Sequence, residues 1–193
     1  MKVRKFYRWD FSRGTFEVAA ALPCPIPERL ACRIAAAAVG ASCVPPPRVP
    51  VFVRFVTRTV KELRDVGGGK APVADTRKIA SWGYWTKNGK VTSYTITVKM
   101  YNLKRIRERY GAGQALSDTI VSIAHEFQHI YDYSTGVHQG RISAYGNVWE
   151  FNAHECEVET MKLIARNRAW RKHFDNLKRQ LQRAAAKKLQ EDR

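Results

Sequence analysis

The residues best suited to chemistry in this 193-residue chain are His125, Glu126 and His129, which stand as His-Glu-Phe-Gln-His. Four residues apart on a helix, the two imidazoles lie one above the other on a single face. Two nitrogens so placed can hold one metal ion, zinc above all, with Glu126 beside it as a general base. Catalytic zinc takes three protein ligands and keeps a fourth position open, so a third donor must come from elsewhere. Beyond His129, the run Trp149-Glu150-Phe151-Asn152-Ala153-His154-Glu155-Cys156-Glu157 reads as helical, with Glu150, His154 and Glu157 sharing a face. Glu150 is the preferred third ligand. Ala153 leaves room for two helices to approach closely. The plain alternative makes His154 and Glu157 part of a charged helix surface.

The helix around the pair has two sides. Ser122, His125, His129 and Asp132 share one, while Ile120, Ile123, Phe127 and Ile130 form an apolar stripe opposite. The stripe predicts packing into the core, and the other side predicts an open cleft. Metal-binding histidines donate their second ring N–H to an oxygen acceptor, and Asp132 is the candidate acceptor. For amide hydrolysis a donor must also face the developing oxyanion; Tyr145, Tyr133 and His154 are the candidates.

His125-Glu126-x-x-His129 followed by Glu150-x-x-Ala153 resembles the gluzincin pattern, in which HExxH precedes an ExxA-type glutamate on a second helix. The layout is similar to that of small intracellular ImmA/IrrE-like and SprT-like metallopeptidases, over roughly residues 90–165. The resemblance implies a zinc-dependent peptidase with a minimal zincin-like fold. It also implies that an edge strand preceding the active-site helix pairs with an extended substrate, a role that falls to the strand Tyr94–Tyr101. Some gluzincins carry an Asp after the ExxA alanine; here that position is His154. SprT-like proteins use a third histidine, which would be His138 or His154, both held in reserve. The metzincin pattern fails, because Asp132 and Thr135 occupy its Gly and His positions.

The elements that must position these residues are legible in outline. Pro23-Cys24-Pro25-Ile26-Pro27 sets up a helix from Glu28 to Val39 that stops at Gly40. Val51–Val60 reads as a strand. Gly67-Gly68-Gly69-Lys70 lacks the spacing of a phosphate loop and reads as surface. Asn88-Gly89 predicts a hairpin turn between Ile79–Lys87 and Lys90–Tyr101. In the outgoing strand Tyr94, Ile96, Val98 and Met100 predict a core face, and Thr95, Thr97, Lys99 and Tyr101 a wet one. A short helix Leu103–Tyr110 should end at Gly111-Ala112-Gly113. Ser117 or Asp118 should cap the next helix, which stops near Gly136. A last helical region starts near Val148. The expected class is α+β, with a small, mostly antiparallel sheet packed on the active-site helix. The expected divisions are a basic arm over 1–22, a zincin-like domain over 23–165 and a basic helical extension over 166–193.

Composition bounds the rest. At 45% apolar residues the chain can bury a core. No apolar stretch is long enough for a membrane span or follows the charged start as a signal peptide would, which predicts an intracellular, cytoplasmic protein. Cys24, Cys32, Cys43 and Cys156 form no CxxC pair and read as free thiols in a reducing compartment. Thirty-four Lys and Arg against seventeen acids give a formal charge of +17, which predicts a polyanion partner such as DNA or RNA beside any protein or peptide substrate. The rival reading is a basic nucleic-acid-binding protein with a structural or vestigial zinc site. In that reading Trp82, Tyr84 and Trp85 beside Lys87 and Lys90 stack on bases; packing within the hairpin is the preferred role for them. A peptidase-like scaffold turned binding module is a third option. The apolar stripe Leu163, Trp170, Phe174, Leu177 and Leu181 suits core or partner-helix packing better than lipid.

Overall fold

A computed structural model of the chain describes residues 3–11, 14–21, 26–56, 79–137 and 148–191. Gly67-Gly68-Gly69-Lys70, Cys24, His138 and Tyr145 lie outside these residues. The described chain is α+β: strands β1 (Val3–Phe11), β2 (Gly14–Ala21), β3 (Val51–Val56), β4 (Ala80–Lys87) and β5 (Lys90–Lys99), and helices α1 (Glu28–Ser42), α2 (Met100–Thr135), α3 (Val148–Arg166) and α4 (Arg168–Glu191). The strand order is β1-β2-β3-β5-β4.

The sheet is mixed, which corrects the expectation of a mostly antiparallel one. β1 with β2 and β4 with β5 are antiparallel, but β2 with β3 and β3 with β5 are parallel. The cause is α1. A helix between two neighbouring strands carries the chain back to the end where it began, so β2 and β3 must run the same way. The stretch expected as an arm pairs as the hairpin β1–β2 and joins the sheet through Val18, Ala19 and Ala20 against Val51, Phe52 and Val53.

Asn88 and Gly89 make the expected turn, both with positive φ (53° and 71°). The strand after it is not an edge. Val51–Val56 pair along one side of β5 and β4 along the other, so β5 is internal, while β4, like β1 at the other end, is an outer strand among the described residues. An internal strand is covered more fully: Tyr94, Ile96 and Val98 are buried as expected, but Thr95 and Lys99 on the supposedly wet face are buried too.

α1 runs past Gly40 to Ser42 and ends on Cys43 in the left-handed conformation. It is buried along nearly its whole length, and packing on that scale outweighs one glycine's helix penalty of about 1 kcal/mol. α2 breaks once, at Gly111 (φ 85°, ψ 170°), and resumes at once. Ser117 and Asp118 are therefore inside the helix rather than capping it. Ser117 Oγ lies 3.3 Å from Met161 Sδ, and Asp118 Oδ1 accepts from Gln114 Nε2. Gly136 (φ 79°) ends α2 as expected, its N–H donating to the Tyr133 carbonyl.

The core joins α1 and the apolar stripe Ile120, Ile123, Phe127 and Ile130 of α2 to the sheet residues Val51, Val53, Phe55, Ile96 and Val98. α3 and α4 pack behind α1 and α2. Asn167 separates α3 from α4; its Oδ1 accepts from the N–H groups of Ala169 and Trp170, a helix cap. Leu177 is fully buried, and Trp170, Phe174 and Leu181 pack on the same core, so α4's apolar stripe faces inward. Among the described residues no helix is long and apolar enough to cross a membrane.

Candidate metal centre

α2 presents His125 and His129 toward α3, and α3 returns Glu150. The fully buried Ala153 lies at the contact, where a larger side chain would hold the helices apart. His125 Nε2 and His129 Nε2 are 3.0 Å apart. Glu150 Oε2 is 3.4 Å from His125 Nε2, and Oε1 is 3.6 Å from His129 Nε2. Ligands 2.0–2.1 Å from a tetrahedral ion stand roughly 3.3–3.4 Å from one another; the separations here are near that length, with each histidine nitrogen facing a different oxygen of Glu150. Two imidazole nitrogens at 3.0 Å also need a proton or a cation between them, since two lone pairs would repel. His125, His129 and Glu150 form a group that could hold a metal ion.

The site is more enclosed than the expected open cleft. His125, Glu126, His129 and Asp132 are all buried, at 2–7% exposure, because α3 covers the histidine side of α2. Glu150 is the exposed member, with 43% of its side chain accessible. A separate depression, lined by Cys43, Gln128, Glu155, Glu159 and Arg166 among others, touches none of the three donors.

Glu157 also reaches His125, from the opposite end of the ring. Its Oε1 lies 2.9 Å from His125 Nδ1, a close contact whose alignment falls short of a regular hydrogen bond. Its Oε2 lies 3.0 Å from His154 Nδ1. Burial works to lower the His125 pKa, but the Glu157 contact and the charges of Glu126, Glu157 and Glu150 outweigh it and hold the ring above its ordinary value. Burial likewise works to raise Glu157, and its two histidine partners overcome this and hold the carboxyl below its usual range.

Asp132 does not have the role expected of it. Gln128 Nε2 donates to its Oδ1 at 2.8 Å and Asn152 Nδ2 to its Oδ2 at 3.1 Å, so this buried carboxylate ties α2 to α3. His154, the reserve ligand, stands beside His125, ring centroids 5.3 Å apart, and with His125 and Glu157 makes a second group that could hold a metal ion. It is 64% exposed, and its Nδ1 is on Glu157. Tyr133 belongs to an aromatic cluster, stacked on Tyr84 at 5.0 Å and tilted against Trp82 at 5.3 Å. A hydrogen bond with Tyr84, with some burial, holds its phenol above the ordinary pKa. Trp82 and Tyr84 thus meet α2 at Tyr133, while Tyr84 and Trp85 are both exposed. Among the described residues, Cys32, Cys43 and Cys156 form no disulfide.

Sequence reasoning missed Glu157 as a partner of His125. Its place on the Glu150 face was visible, but not which nitrogen it would meet.

No family model, curated protein or solved structure matches the chain.

Proposed function

We propose that the protein is a zinc-dependent metallopeptidase with His125, His129 and Glu150 as ligands and Glu126 as general base. The supporting observation is the convergence of two imidazole nitrogens and one carboxylate within 3.0–3.6 Å of one another, on two helices that Asp132 and Asn152 also tie together. Two nitrogens and an oxygen suit zinc better than magnesium or calcium, which prefer oxygen alone. When bound there, zinc supplies a Lewis acid for the scissile carbonyl and brings the pKa of water to around 7. The chain's own residues do the rest. Glu126, next to His125 and buried, accepts a proton from the attacking water and returns it to the departing amine. β4, the outer strand beside α2, is the strand an extended peptide would lengthen through main-chain hydrogen bonds. Nothing in this assignment needs Tyr133, which is engaged with Tyr84.

The test is zinc content and peptide turnover measured on the same preparations. Wild type should carry one zinc and hydrolyse a general peptide substrate. Glu126→Gln should keep the zinc and lose turnover by at least 100-fold, as removal of a general base does. His129→Ala should lose both. A Glu126→Gln protein as active as wild type ends the general-base assignment.

A second reading concerns partners, and α4 supports it. Arg168, Lys172, Arg179 and Arg183 are spaced by four, seven and four residues and are all exposed, so they line one outward stripe. Among its described residues α4's apolar side is committed to the core, which leaves them no apolar face to lie in a bilayer. The stripe suits the phosphate backbone of a nucleic acid, and the peptidase would then act on proteins held there.

A further inference from the structure

We propose that Glu157 positions His125 for the metal and that His154 braces Glu157 in turn, an assignment that rests on the metal reading above. Two carboxylates seven residues apart on α3 grip one ring from both ends: Glu150 lies at Nε2 and Glu157 at Nδ1. Seven residues are close to two helical turns, roughly 10 Å of rise, so a single face of α3 can straddle the imidazole. A carboxylate 2.9 Å from Nδ1 favours the tautomer with the ring proton there. The Nε2 lone pair is then left facing His129 and Glu150, and the ring cannot flip without losing both contacts.

The other candidate acceptor on this side is spoken for. Both oxygens of Asp132 take amide N–H groups, from Gln128 and Asn152. Position 154, the one after Ala153, carries a histidine where a carboxylate acceptor could have stood. Its ring points instead to the free oxygen of Glu157, 3.0 Å away. Glu157 is half-buried between a buried ring and an exposed one, so a proton-bearing His154 nitrogen fixes the carboxylate rotamer that His125 needs. The couple orients the ligand and adds charge to it without occupying the metal's coordination sphere.

The full-length chain tests this by zinc affinity, measured in competition with a chromophoric chelator, and by the visible spectrum of the cobalt-substituted protein. Glu157→Ala should weaken zinc 10- to 100-fold, the usual cost of losing such a partner, and shift the cobalt bands as the ring reorients. Glu157→Gln keeps an acceptor without the charge and should fall between wild type and Glu157→Ala. His154→Ala should weaken zinc less than Glu157→Ala does. Wild-type affinity and an unchanged cobalt spectrum in Glu157→Ala would overturn the assignment while leaving the metal centre intact. So would two zinc ions in wild type and one in His154→Ala, since Glu157 and His154 would then be ligands of their own ion. If wild type takes up no zinc, the metal reading falls and this inference with it. The Gln and His154 variants carry the test should Glu157→Ala fail to fold.

Discussion

Cys156 sits one position before Glu157, yet its thiol turns away from the metal donors. Sγ lies 3.6 Å from the Ala124 carbonyl and 3.9 Å from that of Ser42. Burial pushes its pKa up to about 11. A thiol so placed is neutral and covered, and does not serve as a metal-blocking ligand. Iodoacetamide at pH 8 should therefore modify the exposed Cys43 and spare Cys156 in the folded protein, as read by peptide mass spectrometry. The same shift links stability to pH. The folded state keeps the proton to about pH 11, whereas an unfolded thiol releases it near its ordinary value of 9.0. Stability should thus fall between those limits, by roughly 2–3 kcal/mol in all, and be unaffected by this group below them. At this scale the two candidate histidines were legible because helical spacing puts them on one face, and Glu150 because the small Ala153 follows it by three residues. The partner of His125 was not. Asp132 and Glu157 both occupy suitable positions, and the choice was made across the helix interface, where Gln128 and Asn152 take Asp132.

Among the elements, α4 is the one whose standing is least obvious from its composition, since it reads as a basic extension. In the fold it is anchored by the fully buried Leu177 and started by the Asn167 cap. Leu177→Ala should cost about 2–5 kcal/mol in chemical denaturation, and Asn167→Ala about 0.5–2 kcal/mol. A cost near zero for Leu177→Ala would show α4 to be a detachable tail. Turns and helix ends could be read beforehand where one residue carries the conformation, as at Asn88-Gly89 and Gly136. Strand order could not. The pattern of β5 shows that one face is apolar, but its internal place depends on β3 returning parallel after α1. Gly40 misled for a related reason: a local helix signal gave way to burial of the whole of α1.

For the whole molecule the dominant quantity is the formal charge of +17, legible from composition alone, although which surface concentrates it depends on α4's orientation. If that stripe meets phosphates, binding to a nucleic-acid duplex should weaken steeply with salt. Replacing Arg168, Lys172, Arg179 and Arg183 by Gln should lower the slope of log K against log salt by roughly 3–4, close to one per contact. An unchanged slope would place the contacts elsewhere. The same charge bears on the outer strand β4. One side of its backbone is free of any described strand, which in other proteins invites strand-to-strand association between copies. Lys87 and Lys90 flank its turn, and every copy repels every other. Self-pairing along β4 is therefore opposed by long-range repulsion, beside the irregularity between Trp85 and Thr86. Concentrated salt or a bound polyanion, by cancelling that repulsion, would make the protein stickier to itself when most solutes would be expected to keep it dispersed.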